Sequence, residues 1–139
     1  MQGSDIFKDT VTVFNYFNGK WFPTVLNGAE LQFKNGINEK NSGVSSSDNA
    51  LLFVHISGDF IGGKKYLSPK AFQKSDDKEN LVTFAEGDFF VVGEFSEIAS
   101  EEDYLSGYFS YMCEQYDYCY KITSVKRFKG IPHLEIGGV

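Results

Sequence analysis

The chain has few side chains able to do covalent or metal chemistry: Cys113, Cys119, His55 and His133 are its only cysteines and histidines. A thiol nucleophile needs a general base beside it, and Cys113 with His55 or His133 is the only such pairing available. The spacing of the cysteines is not that of a Cys-x-x-Cys redox pair. A zinc site would need the fold to gather residues that are far apart in sequence. The expectation is therefore two reduced, half-buried thiols near an aromatic cluster, made inert by burial. No P-loop, dinucleotide fingerprint, His-Glu-x-x-His, Gly-x-Ser-x-Gly or EF-hand pattern occurs. No residue stands out as catalytic, cofactor-binding or metal-binding, and the reading is of a non-enzymatic protein without a cofactor.

Charge is more informative than reactive groups. Residues 85–104 hold seven acids and no lysine or arginine, whereas residues 120–134 hold Lys121, Lys126, Arg127 and Lys129 and no acid. Segregated signs steer protein association and fix its orientation, so Glu97, Glu101, Glu102 and Asp103 on one side and Lys126, Arg127 and Lys129 on the other are interface candidates. Solvated loop ends without a partner are the alternative. With 13 basic against 19 acidic residues the net charge is -6, which argues against a general phosphate-backbone binder and predicts no direct nucleic-acid specificity. Trp21-Phe22 and Phe89-Phe90 each place adjacent aromatics on opposite faces of a strand. One member of each pair must point away from a single core, to be covered by a helix or by another subunit. Trp21 joins the interface candidates on that ground.

The elements that must position these residues are mostly strands. The chain has the length of one domain, residues 1–139, and its 14 Phe, 8 Tyr and 14 Gly against 3 Pro favour β-structure. Val11–Phe17, Lys20–Leu26 and Ala29–Phe33, separated by Asn18-Gly19 and Asn27-Gly28, read as a three-stranded meander. Segments near 34–49 and 57–65 read as mobile loops. Between them Ala50–Ile56 is apolar on both sides, as in a covered central strand. Pro69 opens a short helical turn through Ala71 and Phe72. Leu81–Ala85 and Phe89–Phe95 read as a hairpin across Glu86-Gly87-Asp88. Ser100 is the candidate N-cap of one amphipathic helix, about Glu101–Gln115, with Tyr104, Leu105, Tyr108, Phe109 and Met112 in one stripe. Tyr118–Val125 and Ile131–Ile136 are the last strands, joined by a basic turn at Lys126–Gly130. The fold expected is mainly β, a small antiparallel barrel or curved sheet with that helix packed on it. No apolar run is long enough to span a membrane, and the first residues lack a signal-peptide pattern. A soluble protein kept in a cytoplasm, with no membrane partner, is expected.

The order of these segments resembles a family of small head-tail connector or minor capsid proteins of Gram-positive phages and prophages. The likeness lies in the opening Val11-Thr12-Val13-Phe14-Asn15-Tyr16, the strand Lys20–Gly28, the central strand Ala50–Ile56 and the segment Tyr66–Pro69. It continues in Gly87-Asp88-Phe89-Phe90-Val91-Val92-Gly93-Glu94, Ile122–Val125 and the ending Pro132–Gly138. The acidic helical segment after Ser100 is longer than usual for the family, and the turn at Lys126–Lys129 is basic where an acid or asparagine is common. The resemblance implies a virion structural role, made in the bacterial host cytoplasm and carried in the particle. Its implied partners are portal, adaptor or tail components and further copies in a ring. A small β-domain that binds a sugar or peptide is the alternative, and a thiol-dependent enzyme is a further one.

Overall fold

The computed structural model of the chain describes residues 6–33 and 49–139. Of the loop expected near 34–49, all but Asn49 lies outside the described residues.

Six antiparallel strands close into a barrel. They are β1 (Ile6–Phe17), β2 (Lys20–Phe33), β3 (Ala50–His55), β7 (Phe89–Val92), β9 (Cys119–Phe128) and β10 (His133–Gly138). Their order is β1-β7-β9-β10-β3-β2, and β2 pairs back to β1 to complete the circuit. β8 (Ala99–Ser100) adds a short strand against Lys20 and Trp21 of β2. Closure removes exposed sheet edges and allows one core to be filled from every strand. Val13, Leu31, Leu52, Phe90, Ile122 and Ile136 are among the residues that fill it.

The first hairpin forms as expected: Asn18 at φ 51° and Gly19 at φ 80° give the double left-handed turn that suits the strand twist. Asn27-Gly28 does not turn the chain. Asp9 pairs with Ala29 and Val11 with Leu26, so Asn27 and Gly28 together oppose Thr10 in a β-bulge. Gly28, at φ 82°, serves a bulge as readily as a turn, and the meander becomes one long hairpin.

The segment near 57–65 is a hairpin rather than a loop. β4 (Phe60–Ile61) and β5 (Lys64–Tyr66) pair across Gly62-Gly63, and β6 (Leu81–Val82) joins β5 in parallel. Ile61, Val82 and Phe84 belong to the barrel's own core. The small sheet lies against β2, where the Lys64 ammonium donates to the Pro23 carbonyl at 2.7 Å. Between β5 and β6, helix α1 (Pro69–Lys74) starts at Ser68, whose hydroxyl accepts from the Ala71 N–H, and buries Phe72.

The expected hairpin of 81–85 with 89–95 does not form. β6 belongs to the small sheet, and β7 is inserted between β1 and β9. A side chain takes the place of the missing strand partner: Asn15 accepts the Thr83 N–H at 3.2 Å and donates to the Thr83 carbonyl at 2.8 Å. Asn15 also donates to Asp88 at 3.0 Å, and the Asp88 carboxylate accepts the Tyr16 N–H. Burial pushes the Asp88 carboxyl up to about 6, against the downward pull of these hydrogen bonds.

The helix expected over 101–115 is shorter. Glu101–Asp103 form a single 3-10 turn, the chain breaks at Gly107 (φ 93°), and helix α2 runs over Tyr108–Gln115. Ser100 makes no capping bond. β3 is covered on one face only: Leu52, Val54 and Ile56 are buried, while His55 on the other face is exposed. β9 continues through the basic residues Lys126 and Arg127 to Phe128, so the turn is confined to 129–132.

Candidate interaction surface

Outside the barrel wall lies a second apolar cluster. Phe14, Trp21, Phe89 and Val91 from the strands meet Tyr108 and Met112 of α2. Phe89 stacks on Phe14 with ring centroids 4.9 Å apart, and Trp21 meets Phe89 edge-on at 5.0 Å. Phe90, its sequence neighbour, points into the barrel instead. The outward aromatics of both pairs are thus covered from within the chain, by α2.

This cluster settles the place of two interface candidates. Trp21 is only 6% exposed, so it offers no surface to a partner. Its indole N–H donates to the Glu101 carboxylate at 2.7 Å, and the same oxygen accepts the Tyr108 N–H at 3.0 Å. Glu101 therefore caps α2 from seven residues upstream, satisfying one of the free amides of the helix start. Gly107 makes room for it, since a Cβ there would lie 2.7 Å from the second Glu101 oxygen. Nothing in the local pattern around Tyr108 points to a cap so far away; the Trp-to-Glu bond exists only because β8 brings Ser100 beside Lys20.

Glu97, Glu102 and Asp103 remain exposed, in company with Ile98 and a fully exposed Leu105. Tyr104 and Tyr111 lie 4.7 Å apart, and Tyr111 and Tyr116 keep much of their surface in solvent. The result is an acidic face with apolar side chains among the acids.

Lys126, Arg127 and Lys129 lie elsewhere, on the β9–β10 hairpin, and all three are exposed. The guanidinium of Arg127 sits 6.0 Å from the Tyr66 ring centre in the small sheet. Burial raises the Tyr66 hydroxyl, an effect that the Arg127 charge partly opposes. Among the described residues the one ion pair joins His133 to Glu135, and none of these three cations is bound to a carboxylate of a described residue. Phe128 is 39% and Ile131 77% exposed on the same hairpin, and Phe60 of β4 is 53% exposed. The Ile56 N–H bonded to the Pro132 carbonyl ties the start of the β4 segment to this hairpin. The two charged sets are not brought together in one molecule; each forms a face with its own exposed apolar residues.

The reactive side chains are also separated. His55 and His133 face each other across β3 and β10 and line an open surface hollow of about 350 Å³ with Glu30 and Phe53. The His133 ring stacks on Phe128 at 4.8 Å, and its two nitrogens lie 2.7 Å from the Ile131 carbonyl oxygen and 3.0 Å from the Glu135 carboxylate, so both donate when the ring is protonated. Those hydrogen bonds, the backbone one foremost, raise its pKa. Cys113 lies on α2 and hydrogen-bonds to the Cys119 carbonyl rather than to an imidazole. Cys119 is half-buried, as expected, but Cys113 is exposed: it falls on the solvent side of the helix whose other side holds Met112. Among the described residues no three acidic, thiol or imidazole groups are arranged to hold a metal ion, and no helix is long and apolar enough to cross a membrane.

Comparison with curated proteins and with solved structures finds no match. A family model matches residues 6–139, nearly the whole chain, and the chain therefore belongs to a family of unknown function, DUF6751.

Proposed function

We propose that the chain is a non-enzymatic structural protein of a phage or prophage particle, a head-tail connector or minor capsid component that acts by protein–protein assembly. The observation that carries this reading is the pair of unlike faces. One is basic and apolar (Lys126, Arg127, Lys129, Phe128, Ile131), its cations without a carboxylate partner among the described residues; the other is acidic and apolar (Glu97, Glu102, Asp103, Ile98, Leu105). Two different complementary patches on one subunit are what a head-to-tail ring requires, and unmatched charge beside exposed apolar groups suits recognition of a partner of opposite sign. The resemblance of the segment order to phage connector and minor capsid proteins supports the particle as its setting. The partners are other copies of the chain and portal, adaptor or tail components. The protein resides in the host cytoplasm during assembly and then in the virion.

The test is mass spectrometry of particles purified after induction of the prophage. Peptides of this chain at several copies per particle support the reading, and abundant particles without them overturn it. Replacing Lys126, Arg127 and Lys129 together by glutamate is expected to remove the protein from particles while leaving its barrel folded.

A second reading, a module that binds a sugar or peptide, draws on the Tyr104 and Tyr111 rings, paired at 4.7 Å beside exposed acids. Trp21 is linked to this pair through Phe89 and then Tyr108. A saturable change of its fluorescence with a defined oligosaccharide or peptide would favour this reading.

A further inference from the structure

We propose that Cys113 and Cys119 form an intramolecular disulfide when the protein meets a low-molecular-weight disulfide, and that this bond ties α2 to β9 over the second apolar cluster. The inference concerns the thiols alone and stands whether or not the protein assembles into particles.

The backbone brings the two cysteines together. α2 ends at Gln115, the Tyr116 N–H bonds back to the Met112 carbonyl, and the chain reverses to start β9 at Cys119. The Cys113 thiol lies 3.7 Å from the Cys119 carbonyl oxygen and donates to it, and it is close enough to the Cys119 thiol to help raise that thiol's pKa. A cysteine sulfur this near the backbone of the other cysteine, across a helix end and an adjoining strand, places the two residues within reach of a disulfide. The two sites also divide the work. Cys113 is exposed and open to a dissolved reagent, whereas Cys119 is half-buried against the second cluster and its thiol is held protonated by burial and by Cys113.

The chemistry balances as two exchanges. The Cys113 thiolate attacks one sulfur of the small disulfide, forming a mixed disulfide and expelling one small thiolate, which takes up a proton. The Cys119 sulfur, giving its proton to solvent, then attacks the Cys113 sulfur and expels the second small thiolate. Two protein thiols are oxidised and one small disulfide is reduced to two thiols. The product closes a short ring from the last turns of α2 to the first residue of β9, which restrains local opening of the helix that covers Phe14, Trp21 and Phe89.

The experiment treats the reduced, folded protein with oxidised glutathione. The expected product is a monomer that has lost two hydrogens and has no free thiol. After digestion with a glutamate-specific protease, the peptide that ends at Glu114 and the one that begins at Gln115 should stay joined until reductant is added. Amide exchange over Tyr108–Gln115 should slow severalfold on oxidation and recover on reduction. Cys119→Ser should stop at a glutathione adduct on Cys113, and Cys113→Ser should react far more slowly. The proposal is overturned if the native chain stops at a mixed disulfide or crosslinks only between molecules. It is equally overturned if both thiols stay free in a buffer that oxidises dithiothreitol.

Discussion

One oxygen of Glu101 accepts the Trp21 indole N–H at 2.7 Å and the Tyr108 backbone N–H at 3.0 Å, so a single carboxylate links β2 to the start of α2. Glu101→Ala leaves a buried indole donor and a helix amide without their acceptor. Loss of charged-acceptor bonds of this kind costs about 2 kcal/mol. The expected result is a lower denaturant midpoint together with a change in Trp21 emission already present in the folded state. An unchanged midpoint would mean that water replaces the carboxylate at no cost. Glu102→Ala, whose side chain is exposed, should change stability little.

Asp88 makes stability depend on pH in the direction opposite to a salt-bridged acid. Its folded pKa is raised from 3.8 to about 6, chiefly by burial. Between these values the unfolded chain has released the proton while the native protein still holds it. The native state then binds more protons, and stability falls as pH rises. The loss begins near pH 4 and is complete above pH 6, and at about 1.4 kcal/mol per unit it is on the order of 3 kcal/mol. Denaturant midpoints from pH 4 to 7 should decline for the native chain and decline less for Asp88→Asn. The raised His133 pKa also makes stability fall as pH rises, but from about pH 6.5 upward, so the part of the decline between pH 4 and 6 belongs to Asp88. A midpoint that rises over pH 4 to 6 in the native chain alone would contradict the assignment.

These two networks also mark where the fold could be read from the chain and where it could not. The barrel class, the Asn18-Gly19 turn and the helix start at Pro69 were legible because each rests on neighbours in sequence: alternating apolar residues, a left-handed dipeptide, a proline at the first helical position. Asn27-Gly28 was misread because a bulge and a turn demand the same backbone from glycine, and only the pairing of Ala29 with Asp9 separates them. The 81–95 hairpin was misread because Asn15, nearly seventy residues away, supplies the hydrogen bonds that Thr83 would otherwise seek from β7. Trp21 looked like a surface aromatic because its cover, α2, and its acceptor, Glu101, arrive from the far end of the chain. Of the charged candidates, Lys126, Arg127 and Lys129 were legible as a run, yet that Lys126 and Arg127 stand on a strand, with only Lys129 in the turn, depends on β10.

Gly62 and Gly63 form one turn but differ in what surrounds them. Both have positive φ, 62° and 81°, so an alanine at either is strained. A Cβ at Gly62 would also lie 2.8 Å from the Val25 carbonyl oxygen, whereas at Gly63 it meets open space. Gly63→Ala should cost about 1 kcal/mol, and Gly62→Ala about 3 kcal/mol, because backbone cannot step aside as a flexible side chain can. Thermal unfolding of the two variants side by side gives the comparison. Equal losses would mean that the small sheet moves off β2 freely, and its role in holding Ile61 and Val82 in the core would need revision.

Phe89 and Phe90 are neighbours in sequence with equal side chains and no exposure, but they belong to different cores. Phe90 packs inside the barrel among residues from several strands. Phe89 lies outside it, in contact with Phe14, Trp21, Tyr108 and Phe109. Truncating a buried phenylalanine to alanine costs about 3–5 kcal/mol through lost burial and the cavity left behind. The cost should fall in different places. Phe90→Ala weakens a core that every barrel strand shares, so protection of β1, β9 and β10 amides should drop together. Phe89→Ala removes the centre of the contact under α2, so amides of Tyr108–Gln115 should lose protection first while the barrel amides keep most of theirs. Hydrogen exchange resolved by residue distinguishes the two. If Phe89→Ala loosened barrel and helix alike, the second cluster would be a continuation of the barrel core, and α2 could not open independently of the strands it covers.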